Sequence, residues 1–147
     1  MNTLLINLSF SPIIFISIFF LILFLQSGVD KIMDFGGNLN YFKTHFKNTI
    51  FEKFIFFLLL VLTFLECITG LSFLIFLLDW ILIQGMSNYS PHLFYLGLQL
   101  STITICALFL GQRLAKDYVG AVNLSIYFLI TLIGFFISFY IQINYSL

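Results

Sequence analysis

Four stretches of the chain, at about residues 10–31, 54–78, 93–110 and 121–143, are long, predominantly apolar and rich in Leu, Ile and Phe. A helix rises about 1.5 Å per residue, so roughly 20 apolar residues cross the hydrocarbon core of a bilayer. Each stretch meets or approaches that length. None alternates apolar with polar side chains as barrel strands do. Only 8% of the residues are charged, against about 25% in a soluble domain. The sequence therefore predicts an all-α fold: an integral membrane four-helix bundle, one domain over 1–147. Pro12 is expected in the first turn of the first helix, where proline is tolerated. No Lys or Arg precedes that run and no small-residue cleavage site follows it, so it is expected to stay as a span.

The connections differ in kind. After Gly36-Gly37, a predicted turn, Leu39, Phe42, Phe46, Ile50 and Phe54 recur at helical spacing. Lys43 and Lys47 flank that stripe. The pattern predicts a short amphipathic helix between helices 1 and 2, lying in the headgroup region with its lysines outward. Between the second and third spans, Trp80 and Tyr89 suit an interfacial aromatic belt, and 85–91 is rich in turn residues. The six basic residues, Lys31, Lys43, Lys47, Lys53, Arg113 and Lys116, all fall in or beside the first and third connections. The positive-inside rule then puts those connections in the cytoplasm and both termini outside.

Placed on a helical wheel, each span shows one small or polar face. The first aligns Gln26, Asp30 and Asp34, with Ser27 and Lys31 beside them. The second aligns Thr63, Glu66 and Gly70. The third aligns Gln99, Thr102, Cys106 and Arg113. The fourth aligns Asn123, Tyr127, Thr131, Gly134 and Ser138. These faces are expected to meet inside the bundle. The candidate intramembrane polar cluster is thus Glu66, Gln99, Gln26, Asp30, Lys31, Gln112, Arg113, Asp117 and Asn123.

Glu66 is the most informative single residue. A charge near the bilayer centre costs about 2.5–3.5 kcal/mol, so Glu66 must be neutral or paired. Counted from the basic ends, Glu66 and Gln99 fall at similar depth, which favours a neutral Glu66 bonded to Gln99. An ion pair with Arg113 or Lys31 is the competing arrangement. Asp117 is placed near the N-terminus of the fourth helix, where a carboxylate is favoured.

Other chemistries have little support. Cys67 and Cys106 lie in apolar runs without a C-x-x-C pair, and no His pair stands at metal spacing. No basic patch interleaved with aromatics points to nucleic acid. Neither a nucleophile–base pair nor a dinucleotide motif is present, so a self-contained enzyme is the least favoured class.

Three segments carry a family resemblance. They are "FLQSGVDKIMDF" (Phe24–Phe35, with Ser27-Gly28, Lys31 and Phe35), Glu66 followed by Gly70, and "GQRLAKDYVGAVNL" (Gly111–Leu124). In this order they resemble the DoxX family of small four-span bacterial membrane proteins. The chain departs from that pattern after Gly70, where "LSFLIFLLDW" replaces further glycines and an arginine turn. The resemblance implies the bacterial inner membrane and association with redox assemblies linked to thiosulfate and quinone oxidation. The expected function is an accessory, non-catalytic membrane subunit, with other membrane subunits as partners and a quinone or lipid as the ligand at a basic mouth formed by Asp30, Lys31, Gln112, Arg113 and Asp117. The alternative is a small transporter or proton path using Glu66 and Gln99. Nothing in the sequence decides between a monomer and a homo-oligomer.

Overall fold

The computed structural model describes residues 2–82 and 91–145, with side chains over 12–82 and 92–143. It contains α1 (Asn2–Met33), α2 (Phe35–His45), α3 (Ile55–Leu82), α4 (Pro91–Leu114) and α5 (Tyr118–Tyr145), with a 3₁₀ turn at Glu52–Phe54 leading into α3. The segments Pro12–Met33, Glu52–Leu82, His92–Leu114 and Tyr118–Ile143 are each long and apolar enough to cross a membrane. The long helices pack in a ring: α1 on α3, α3 on α4, α4 on α5, with a lighter contact closing α5 onto α1.

The α1–α3 contact is the closest. A Cβ on Gly70 would stand 2.7 Å from the Leu25 backbone nitrogen, and one on Gly28 would stand 2.6 Å from Cys67 Sγ. Two glycines about one turn apart along the contact, one on each helix, let the backbones approach as no larger residue allows. This contact fixes an antiparallel register that continues upward into the aromatic core. The Phe20 ring stacks on Phe24 and Phe73, at centroid distances of 5.6 and 5.4 Å. Phe94 of α4 meets Phe73 and Phe76 at 6.2 and 5.5 Å.

Most buried hydroxyls are satisfied within their own helix. Ser17, Thr63, Ser101 and Thr131 each donate to the carbonyl four residues earlier, at 2.7–3.0 Å. Thr69 and Thr104 do the same and also meet each other at 3.0 Å, joining α3 to α4. Such hydroxyls enter an apolar core without needing a partner helix.

Several boundaries differ from those the sequence predicts. The first helix begins at Asn2, so Pro12 lies inside it and not in its first turn. The Gly36-Gly37 pair forms the first turn of α2 instead of a break. Asp34 caps that turn, its carboxylate accepting from Gly37 N at 3.0 Å, and a Cβ at 37 would run into the same carboxylate. The amphipathic helix is correspondingly earlier. It holds Leu39 and Phe42, ends with Phe46 as its C-cap, and is followed by Asn48 at φ 62°. Ile50 and Phe54 therefore lie beyond it, on the turns that lead into α3. Tyr89 and most of the turn at 85–91 lie outside the described residues.

Gly70→Ala should lower the melting temperature in detergent, because the helices must part to admit the methyl; overpacking of this kind costs about 1–3 kcal/mol. Gly36→Ala, where nothing lies within 4 Å, should be neutral or mildly stabilising in the same assay.

Candidate functional site

Ser27 and Lys31 stand one helical turn apart on α1, and both point at α3. The Lys31 ammonium lies 3.0 Å from Oε1 and 2.8 Å from Oε2 of Glu66. Only the Oε1 contact has hydrogen-bond geometry; Oε2 is held by charge alone. Ser27 Oγ donates to Oε1 at 3.0 Å, and Lys31 donates to Ser27 Oγ at 2.8 Å. The side chains of Glu66 and Lys31 are 2% and 11% exposed, so this is a closed, buried ion pair. Glu66 lies eleven residues into α3, about 16 Å from its start. Lys31 reaches it because α1 stops at Met33 and turns into α2, leaving the first turns of α3 to pack on α2.

This arrangement overturns the neutral Glu66–Gln99 pair and also the pairing with Arg113. Gln99 is exposed on the outer face of α4, whose buried face is Phe94, Leu98, Ser101, Thr104 and Ile105. Gln26 and Asp30 are likewise exposed on the outer face of α1, and Asn123 on that of α5. On α3 and α5 the predicted inward residues Thr63, Glu66, Gly70, Thr131, Gly134 and Ser138 are buried. The physical difference is self-sufficiency. A Ser or Thr satisfies its hydroxyl on its own helix and packs inside, whereas an amide or a free carboxylate needs a partner from another element, which the bundle interior does not supply to Gln26, Asp30, Gln99 or Asn123.

The third connection proves to be a tight, fully employed turn. Asp117 N donates to Gln112 O at 2.9 Å and Lys116 N to Arg113 O at 3.2 Å, with Lys116 at φ 62°. This is a Schellman ending with lysine in the left-handed position that glycine usually takes. Asp117 then caps α5, its carboxylate accepting from Gly120 N at 2.9 Å. Arg113 is exposed and lies over the Tyr118 ring at 4.9 Å. Gln112 Oε1 meets His45 Nε2 of α2 at 3.0 Å. The residues expected to form one basic mouth are therefore not together. Lys31 is inside, Asp30 faces out, and Gln112, Arg113 and Asp117 each hold a different neighbour.

The His45–Gln112 bridge closes one edge of a cavity of about 130 Å³ between α2, α3 and α4, walled by Phe42, Phe46, Leu58, Leu62 and Leu108. Engineered apolar cavities of about 150 Å³ take up benzene-sized molecules, so the space suits a ring or a short length of hydrocarbon. Lys43 and Lys47 are exposed on and just after α2. Trp80 is half-buried in the last turns of α3, its ring 6.4 Å from Phe76. Cys106 is exposed and Cys67 half-buried. Among the described residues no group of three or more His, Cys, Asp or Glu is placed to hold a metal.

The chain matches no family model, no curated protein and no solved structure. The helical wheel sets Ser27 beside Lys31 but assigns it no bond to Glu66. His45 carries no such signal in the sequence, since its partner lies 67 positions away.

Glu66→Gln should destabilise the protein nearly as much as Glu66→Leu, by about 3–5 kcal/mol, because either change strands a buried ammonium. Lys31→Met combined with Glu66→Leu should recover much of that loss, and Arg113→Gln should recover none, as read by thermal melts in one detergent. Lys116→Gly should stabilise by about 1 kcal/mol through relief of the left-handed backbone. Lys43→Gly, on the exposed face of α2, should do the opposite by a similar amount.

Proposed function

We propose that the chain is a multi-pass protein of the bacterial inner membrane, similar to DoxX proteins, that serves as a non-catalytic accessory subunit of a larger membrane assembly. Its basic end lies in the cytoplasm and both termini lie outside. The observation that carries this reading is the outer face of α1. There Gln26 and Asp30 line a groove with Phe19, Ile22, Leu23 and Ser27. Asp30 is only three residues from the end of α1, but Gln26 is one turn deeper, about 10 Å from that end. A carboxylate and an amide on an otherwise greasy span are costly against lipid and are relieved by a partner helix that brings a cation or hydrogen-bond donors. A redox assembly of the quinone-linked kind is the partner that the DoxX resemblance implies. A lipid chain or quinone ring would occupy the cavity beneath α2.

The alternative, a small transporter or proton path, draws on a cavity of about 50 Å³ beside Glu66, which Ser27 and Tyr127 also line. Against it, Lys31 already neutralises that carboxylate.

Purification of the tagged chain in mild detergent should retain a stoichiometric membrane subunit. Gln26→Leu with Asp30→Leu should lose that subunit while the bundle melts as wild type. In a cysteine-free background, a probe cysteine at Asn88 should label from outside and one at Asn48 should not. A chain that purifies alone, or the reverse labelling, would reject the reading.

A further inference from the structure

The outward face of α4 differs from those of its neighbours. From Phe56 to Leu82 every exposed side chain of α3 is apolar, and on α5 the exposed polar Asn123 and Ser125 lie within the first turns, every exposed side chain from Ile126 to Phe139 being apolar. On α4 the exposed line runs Leu96, Gln99, Ile103, Cys106, Leu110, with steps of three and four residues in alternation. Gln99 has no hydrogen-bond partner among the described residues. It stands 15 residues from Leu114, about 22 Å from the basic end, at a depth where a bilayer offers no water to an amide.

We propose that this line is the interface of a parallel homodimer. Two copies inserted with the same topology carry α4 in the same direction, related by a two-fold axis along the membrane normal. Each residue of the line then faces its own copy at equal depth. Gln99 is self-complementary in that setting. Its carboxamide both donates and accepts, so two copies satisfy each other, as a buried Asn does in a parallel coiled coil. The alternating steps give the 3.5-residue repeat of a left-handed crossing near 20°. Cys106, with exposed Ala107 beside it, is small enough to let the backbones come close. The next position, Arg113, is drawn onto Tyr118, so no pair of cations is forced together.

The polar line on α1 fails the same test. A two-fold axis there would set Asp30 against Asp30 one turn from Gln26, and like charges so placed repel. The α1 face therefore fits a cationic partner, and the α4 face a second copy. The dimer does not depend on the accessory-subunit reading.

The native Cys106 provides the test. The full chain carrying Cys67→Ser is reconstituted alone in phosphatidylcholine vesicles and oxidised with copper phenanthroline. A covalent dimer should form, and Cys106→Ser should abolish it. Single cysteines at Leu96, Gln99, Ile103 and Leu110 in a cysteine-free chain should crosslink. Cysteines at Ile75 on α3 and Ile126 on α5 should not. By energy transfer between labelled copies, Gln99→Leu should weaken association about three- to tenfold, the loss of one or two interhelix hydrogen bonds. The proposal is overturned by no crosslink along α4, by crosslinks at Ile75 or Ile126 instead, or by a Gln99→Leu chain that associates as wild type.

Discussion

The Lys31–Glu66 ion pair exists because two glycines let α1 and α3 touch backbone to backbone. Removed from water, an ammonium and a carboxylate each carry a desolvation penalty of several kcal/mol, which their attraction offsets only at short range and with further hydrogen bonds. Gly28 and Gly70 supply the short range, and Ser27 supplies the extra bond. The pair is thus better understood as fixing register than as adding net stability. Sliding α1 by one turn would part the charges and drive Leu25 against a residue larger than glycine. The placement of α2, the stacking of Phe20 on Phe73 and the depth of the cavity beneath α2 all follow from that register.

Once Lys31 and Glu66 are committed to each other, the remaining polar groups divide into those used locally and those presented outward. Gln112, Arg113, Lys116 and Asp117 are spent on ending α4, starting α5 and holding α2. Gln26, Asp30 and Gln99 lie on outer faces, on two helices that sit diagonally across the ring. Their chemistry differs: an amide with a carboxylate on α1, an amide alone on α4. That contrast is why one face suits a foreign cationic helix and the other its own duplicate.

Much of the architecture was readable before any coordinates. Run length gave the four long helices, and the spacing of Leu39 and Phe42 gave the short amphipathic one. The inward faces of α3 and α5 were readable because their small and hydroxyl residues are the ones that pack. The wheel misled for α1 and α4. It assumes that polarity marks the inside, whereas Gln26, Asp30 and Gln99 are polar groups that their own helices cannot satisfy. Depth counted from helix ends misled too, because α1 stops short and bends into α2. That bend brings Lys31 level with Glu66, and only the packing of α2 on α3 discloses it.

The turn at Ala115–Asp117 has a mechanical consequence. A connection of three residues, locked by two backbone bonds and a side-chain cap, leaves no slack between α4 and α5. Any tilt or axial shift imposed on α4 is passed directly to α5. The link from α1 to α3 is instead a long segment with two changes of direction. The molecule is therefore two levers of unequal compliance, a stiff α4–α5 hairpin working against an α1–α3 pair hinged through α2. A load on the outer face of α4 would be felt first where α5 rests lightly on α1.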